Sequence, residues 1–366
     1  MHFSTLFVSS GLIGSALAGL LPRSFKVPSS DGFPSPSTEQ LQQIAIQAGG
    51  KLPGAPLPTS LGDGSTVAFQ LIAFNELFET AYFNSLLKNV TESISGYELD
   101  GEELEGAKKI IKTVLAQEEQ HAIGALATLK SAGKFAPSPC KYQFPVNTLK
   151  DAVLLAETFT AVVLGALQDA NVIFAKEGAP EVVRLVSSVI GQEGEQNGFY
   201  RIFLNQVPSE SPFLTTVPAA FAWSALQSFV VPGSCEEDIK NIALPIFPPL
   251  AVNGGAIAVL EAKDQTLSFS ATLDKSYEGQ GLYITYTTGL QLPKSVPVEN
   301  VKWDGNTITA EATFPFEELV AQGFTHAALT TSCDIATADD IPAVTLAAPG
   351  LIQVQNAVSS SGSPYS

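Results

Sequence analysis

Residues 115–125 read LAQEEQHAIGA and contain Glu118 and His121, which are three residues apart. Residues at that spacing lie on the same face of a helix. Apolar residues before and after them, such as Val114 and Leu129, continue along this face, so both polar groups lie on the stripe expected to face the core. The stretch alone leaves two interpretations open, a pair of metal ligands or an ordinary hydrogen-bonded polar pair.

Three further segments share this helical period and also carry carboxylates on their apolar stripes. Helices are predicted at 66–89, 101–132, 149–176 and 180–206. The carboxylates near the middle of the stripes are Glu76, Glu79, Glu118, Glu157 and Glu193. A long connection follows the second helix and a short one follows the third, which indicates a four-helix bundle with one crossing connection.

Carboxylates that converge inside a bundle need compensation. A buried carboxylate is costly unless it is protonated, paired or bound to a cation. The stripes carry no lysine or arginine near these positions, although Arg201 follows Glu193 along the fourth helix. A pair of divalent or trivalent metal ions is the simplest compensation, because carboxylates and imidazoles on facing helices form such sites.

The composition and the apolar pattern of the chain change several times along its length. Two domains are expected from 366 residues. The five predicted segments are a signal peptide at 1–18, an extended Pro-, Ser- and Gly-rich arm at 19–65, the helical bundle at 66–235, a β module at 248–356 and a flexible tail at 357–366. One short helix is expected in the arm near residues 39–48. The fold class is therefore predicted to be α+β multidomain, a four-helix bundle followed by an all-β, sandwich-like module.

Strand signals define the β module. In TLSFSATL, residues 266–273, apolar and hydroxyl side chains alternate strictly, as in a strand with one buried face. WDGN, residues 303–306, is typical of a hairpin turn. Short alternating strands separated by turns indicate a small sandwich.

Charge and the N-terminus constrain partners and compartment. The net charge is −17, so the surface repels phosphate backbones and anionic lipid, and neither nucleic acid nor a membrane is an expected partner. An apolar run ending in Ala16-x-Ala18 predicts cleavage after Ala18 and release from the cell. The tail lacks the hydrophobic end of a lipid-anchor signal, so we expect a secreted or wall-associated protein.

Cysteines and one sequon suggest modifications of a secreted chain. Cys140, Cys235 and Cys333 are the three cysteines, and two of them are expected to pair in an oxidising compartment. The residues alone leave all three pairings open. Asn89 begins the sequon Asn-Val-Thr and is a predicted glycosylation site.

The segment from about residue 66 to 235 resembles the ferritin-like domain of secreted fungal stress-response or late-sexual-development proteins, which are related to plant desiccation-related proteins. The resemblance rests on NELFETAYF with Glu76 and Glu79, on Gln117-Glu118-x-x-His121, on Glu157, and on EGEQNGFYR with Glu193 and Arg201. CKYQFP and FAWSALQSFVVPGSC also resemble this family. The resemblance implies a ferritin-like bundle and a metal site of Glu76, Glu118, His121, Glu157 and Glu193 that holds iron or manganese.

One position departs from the family pattern. Gln196 occupies the place of the second histidine of the family, and its amide is a neutral, weaker ligand. Gln196 and Glu79 are therefore expected either as ligands or as hydrogen-bonding neighbours of ligands. The site could hold two ions, one ion or none.

Two functions follow from this reading. The first is a secreted metal-binding protein of stress response or development with a di-iron-type oxidase or ferroxidase activity. The second is a non-catalytic extracellular scaffold whose β module binds a protein partner or a wall polysaccharide. Phosphate-binding loops, a Gly-x-Ser-x-Gly nucleophile and dinucleotide fingerprints are absent from the sequence, which argues against the corresponding enzyme classes.

Overall fold

A computed structural model describes residues 29–358, so the predicted signal peptide and residues 359–366 of the predicted tail lie outside the described residues. The α-helices are α1 (Thr38–Ala48), α2 (Asp63–Thr91), α3 (Gly101–Ser131), α4 (Leu149–Lys176), α5 (Pro180–Phe203), α6 (Ala219–Gln227) and α7 (Phe316–Leu319). The strands are β1 (Ala251–Val252), β2 (Ile257–Leu260), β3 (Gln265–Thr272), β4 (Tyr283–Thr288), β5 (Lys294–Pro297), β6 (Glu299–Asp304), β7 (Thr307–Phe314), β8 (Gly323–Thr330) and β9 (Thr345–Val354).

The helices α2 to α5 form the predicted four-helix bundle. The helix α2 packs mainly against α3, and α4 packs mainly against α5. Local signals set several ends: Thr148 caps α4 by accepting a hydrogen bond from the Asp151 backbone N–H, and Pro180 occupies the first turn of α5. The helix α4 is long and apolar enough to cross a membrane by composition alone, but 78% of its apolar window is buried in the bundle.

Two hydrophobic clusters fill the bundle. They follow one another along α3, α4 and α5, and their members alternate along part of α2. One contains Phe78, Tyr82 and Phe159, and the other contains Phe69 and Phe174. Burial of these aromatic side chains is a large part of the hydrophobic stabilisation. The polar residues of α3 and α5 that lie on apolar stripes fall at the level between the two clusters.

The segment before α2 is folded onto the bundle. The short helix α1 forms as expected, with a capping box between Ser37 and Gln40 at its start. It packs against α3, and Phe33, which precedes it in the chain, is fully buried in the same hydrophobic cluster as Phe69. The arm is therefore less extended than its composition suggests, because apolar residues such as Phe33 and Ile44 anchor it.

The C-terminal region is strand-rich, as predicted. Among residues 29–358, nine strands form two sheets, with the orders β1-β3-β7-β6 and β2-β9-β8-β4-β5. The predicted alternation in β3 is confirmed, since Leu267 and Phe269 are buried and join Tyr286 of the other sheet in one core. The predicted hairpin is confirmed too, because β6 and β7 pair in antiparallel register across Gly305.

The two regions contact one another directly. The helix α6 packs on β9 and α4 reaches β8. Thr215, in the segment after α5, donates a hydrogen bond of 2.8 Å to the Phe324 carbonyl of β8. Its hydroxyl also accepts a hydrogen bond from the Gly289 backbone N–H. These bonds hold the β module against the side of the bundle.

Candidate metal centre

Four of the predicted site residues meet inside the bundle. They are Glu76 of α2, Glu118 and His121 of α3, and Glu193 of α5, and one ligand atom from each lies within 4.8 Å of all the others. His121 Nδ1 is 3.0 Å from Glu118 Oε2, 3.5 Å from Glu76 Oε2 and 3.7 Å from Glu193 Oε1. The glutamate side chains are fully buried, whereas that of His121 is 14% exposed. We refer to these four residues as the carboxylate–histidine cluster.

The helical register explains why these residues meet. On α3, Leu115 belongs to one hydrophobic cluster and Ala122 to the other, and Glu118 and His121 lie between them. On α5, Val186 and Tyr200 likewise bracket Glu193. Helices packed side by side bring such equivalent levels together.

Glu79 lies one turn after Glu76 and borders the cluster. Its Oε1 accepts a hydrogen bond of 2.9 Å from Asn75 Nδ2, and its Oε2 is buried without a hydrogen bond in the described part of the chain. Burial and the charges of Glu118, Glu193 and Glu76 raise the pKa of Glu79 well above its ordinary value. Glu79 is thus close enough for the charges of the cluster to act on it, although it is not one of the four converging residues.

Without a bound cation the cluster is electrostatically costly. Two unit charges 4 Å apart interact by about 4 kcal/mol at the effective dielectric constant of a protein site. Burial, with the repulsion of Glu118, raises the pKa of Glu76 to about 7, and burial with Glu76 and Glu118 raises that of Glu193 well above its ordinary value. Burial opposes the charged form of His121, but the Glu118 and Glu76 carboxylates together outweigh it and raise the pKa of His121 well above the usual range.

Gln196 contacts the cluster through its amide. Its Nε2 donates a hydrogen bond of 2.8 Å to Glu118 Oε1 and another of 3.1 Å to Gln117 Oε1. Gln192 Nε2 donates to the same Gln117 oxygen, also at 3.1 Å. Gln196 therefore orients Glu118 from α5. Gln117, on α3, in turn orients the Gln196 amide by accepting its second hydrogen bond.

Glu157 is not part of the cluster. Its Oε1 accepts a hydrogen bond of 2.7 Å from Arg201 Nη1, and Arg201 also lies 3.4 Å from Glu210 Oε2. Along α4 the change from one hydrophobic cluster to the other falls between Val162 and Val163. Glu157 lies about one and a half turns before that level. The structure therefore pairs Glu157 with Arg201 and does not bring it to the four convergent residues with which it was predicted.

The buried ion-pair site of Arg201, Glu157 and Glu210 was not predicted from the sequence. Arg201 and Glu157 are almost fully buried, and Glu210 accepts a hydrogen bond of 2.9 Å from the Phe324 backbone N–H of β8. Burial and the Glu210 charge raise the pKa of Glu157 to about 7, in opposition to Arg201. The signal available in the sequence was the lone arginine two turns beyond Glu193, since a buried arginine needs a carboxylate partner.

The remaining predicted residues lie elsewhere. Cys140 and Cys235 form a disulfide, and Cys333 is exposed and unpaired among the described cysteines. Asn89 is half-buried in the last turn of α2, and its glycosylation stays a prediction. His326 is buried in β8, where its Nε2 is 2.9 Å from the Thr216 carbonyl.

The cluster fits a metal ion by its donor chemistry. Among residues 29–358, neither side-chain oxygen of Glu76 or Glu193 has a hydrogen-bond partner, although all four atoms are buried. Such orphaned acceptors are rare in proteins and call for an explanation such as an ion. Three carboxylates and one imidazole are ligands suited to iron, manganese or zinc.

Comparison with known protein families agrees with this architecture. Residues 65–206 match the family described as the ferritin-like domain, a span that runs from the start of α2 to the end of α5 and contains the whole cluster. No curated protein matches the chain. Residues 65–206 are therefore a ferritin-like domain, and a strand-rich region of two sheets follows it.

Proposed function

We propose that the carboxylate–histidine cluster binds iron or manganese and that the protein is a metal-binding ferritin-like protein. One observation carries the proposal: the buried carboxylates of Glu76 and Glu193 converge on Glu118 and His121, and among the described residues neither receives a well-aligned hydrogen bond, since His121 Nδ1 lies 3.5 Å from Glu76 Oε2 and 3.7 Å from Glu193 Oε1. The four residues suffice for one ion. A second ion would need Glu79, because the cluster contains a single imidazole.

The chain prepares the site in three ways. His121 and Glu118 are fixed against one another at 3.0 Å, and Gln196 holds the second oxygen of Glu118. Glu79 Oε2 is a buried protonation site beside the cluster, because its pKa is raised. A bound iron or manganese ion supplies Lewis acidity and one-electron redox chemistry. An oxidase or ferroxidase reaction at that ion is the activity that the family resemblance implies.

We place the protein outside the cell. The Cys140–Cys235 disulfide supports this proposal, because such bonds persist in oxidising compartments. The apolar N-terminal run supports it as a signal peptide. A role in stress response or development rests on the resemblance to secreted fungal proteins.

Metal analysis of the disulfide-bonded protein tests the proposal. Purified protein should carry iron or manganese at close to one ion per chain by elemental analysis, and His121→Ala should lose it. Glu119→Gln is the matched control, since Glu119 is a buried neighbour on α3 that faces Ser29 instead of the cluster. Absence of metal, together with no rise in Tm when ferrous or manganous ions are added, would refute metal binding.

A second candidate function is an extracellular scaffold that binds a protein partner through the β module. Large apolar side chains are exposed where the β4–β5 turn meets the turn after α7, namely Leu290, Leu292 and Val320. The Gln291 side chain donates a hydrogen bond of 2.6 Å to the Leu319 carbonyl and holds the two turns together. Exposed apolar patches often mark interaction sites. Retention of the protein in the wall fraction, lost in Leu290→Ser/Leu292→Ser with unchanged metal content, would favour this function.

A further inference from the structure

A cavity of about 300 Å³ adjoins the carboxylate–histidine cluster. It lies among α2, α3 and α5, beneath the turn that follows α1. Glu76 and His121 are part of its lining, which accounts for the partial exposure of His121. A cavity of about half this size, in an engineered protein, binds benzene. The space therefore accommodates a small organic molecule directly beside the proposed metal ion.

The walls of the cavity are apolar. Phe69, Ile72, Leu167, Val186 and Val189 contribute to them. Among its described lining residues, the charged or titratable side chains outside the cluster reduce to Lys51, which is exposed at the turn after α1. Entry of a metal cation through this cavity is unfavourable, because Lys51 repels the cation and the apolar walls do not replace its hydration shell.

Two glutamine amides in the lining lack partners. Gln120 is 9% exposed, and neither its Nε2 nor its Oε1 forms a hydrogen bond within residues 29–358. Gln192 Oε1 is also buried without one, while its Nε2 is bonded to Gln117. A buried amide without a partner costs about 1–3 kcal/mol, so a molecule that bonds to it gains binding energy. These amide atoms are buried beside the cavity, and a change of side-chain rotamer at Gln120 or Gln192 turns one donor and two acceptors toward a bound molecule.

We propose that this cavity binds a small neutral organic molecule with an apolar body and one hydroxyl or carbonyl group. The polar group bonds to Gln120 and the apolar body packs against Phe69, Ile72 and Val186, next to His121. Its role as the substrate of the site rests on the proposed metal-binding function. The binding itself requires only the cavity and its amides.

Phenol and benzene are suitable probes for calorimetric titration of the disulfide-bonded protein after a chelator has removed metal. Phenol should bind with one-to-one stoichiometry and more tightly than benzene. Gln120→Leu should weaken phenol about 5- to 10-fold, as expected for one lost hydrogen bond, and leave benzene unchanged. Gln353→Leu is the matched control, because Gln353 is a buried glutamine on β9 with no hydrogen bond in the described chain.

A second variant blocks the space without touching an amide. A Cβ added at Gly124, on α3, meets only Leu52 Cδ2 at 3.6 Å, so Gly124→Ala should fold and bind both probes. The longer side chain of Gly124→Leu should occupy the cavity and abolish binding of both probes. Failure of phenol to bind to wild-type protein at millimolar concentration, or equal affinities in wild type and Gln120→Leu, would overturn the inference.

The outcomes of the two proposals are separable. Phenol binding by a protein that takes up no metal would sustain the cavity and refute the metal site. Metal uptake without phenol binding would sustain the metal site and refute the cavity proposal.

Discussion

Gln196 Nε2 lies 2.8 Å from Glu118 Oε1 and donates a hydrogen bond to it across the interface of α5 and α3. The family that the chain resembles has a histidine at this position. The amide instead fixes one oxygen of Glu118, and the other oxygen faces His121 at 3.0 Å. Partners that orient ligands in this way commonly change metal affinity by about 10- to 100-fold when they are removed.

Replacement of Gln196 should change metal affinity in either direction. Gln196→Leu should weaken binding about 10- to 100-fold, because Glu118 loses its orienting donor. Gln196→His should strengthen binding by adding an imidazole ligand. Competition with a chromogenic chelator measures both changes. Gln192→Leu is the control, since in the described chain the Gln192 amide donates to Gln117 and not to Glu118. Wild-type affinity in both Gln196 variants would show that Gln196 does not face the ion.

Glu157 should be dispensable for metal binding but not for stability. Glu157→Gln should keep the metal stoichiometry, because Glu157 pairs with Arg201 away from the cluster. Arg201→Met should destabilise the protein by about 3–5 kcal/mol, since it leaves buried carboxylates without their cation. Denaturant unfolding and elemental analysis of both variants provide the measurement. Loss of metal in Glu157→Gln would contradict the separation of the two sites.

The metal-free protein should lose stability as the pH rises from about 4.5 to 8. The pKa of Glu76 is raised from 4.5 to about 7 in the folded state, so the folded protein binds more protons than the unfolded chain in this window. The stabilising contribution is complete below the unfolded pKa and is lost as the pH passes the folded pKa. For Glu76 alone the loss is on the order of 3 kcal/mol. Glu193 and His121 act in the same direction.

Thermal unfolding at a series of pH values measures this effect. Tm of the metal-free protein should fall across the window, and added manganous ion should reverse the trend, because ligands must release protons to bind metal. Glu193→Gln, which removes one titrating carboxylate, should flatten the metal-free curve. A metal-free Tm that rises steadily from pH 5 to pH 8 is the outcome that this account forbids.

The disulfide should contribute strongly to stability. Cys140 and Cys235 are 95 residues apart and tie the connection between α3 and α4 to the segment after α6. Closing a loop of that length removes unfolded-state entropy worth about 4.7 kcal/mol. Cys140→Ser/Cys235→Ser should lose about that much in denaturant unfolding. Cys333→Ser should change stability by less than about 0.5 kcal/mol, because this cysteine is exposed and forms no disulfide in the described chain.

Local pattern was sufficient for much of the fold. The period of apolar residues located the four long helices to within about three residues, and alternation located β3 and the β6–β7 hairpin. These features depend on residues close together in the chain, whose geometry is fixed by helix or strand period. The same logic placed Glu118 and His121 on one buried face.

The residue pattern could not predict which glutamates from different helices meet. Glu76, Glu157 and Glu193 all lie midway along apolar stripes, but only Glu76 and Glu193 reach the level of Glu118 and His121. The level of a residue depends on how far each helix slides against its neighbours, and no period within one helix encodes that offset.

Sequence by itself determined the helices, the strand-rich C-terminal region and the inward direction of the glutamates, because each follows from short-range periodicity and burial. Tertiary structure alone decided that Glu157 belongs with Arg201, that Cys140 pairs with Cys235, and that an apolar cavity reaches His121. Those outcomes depend on distances between segments far apart in the chain, which are set when the helices pack.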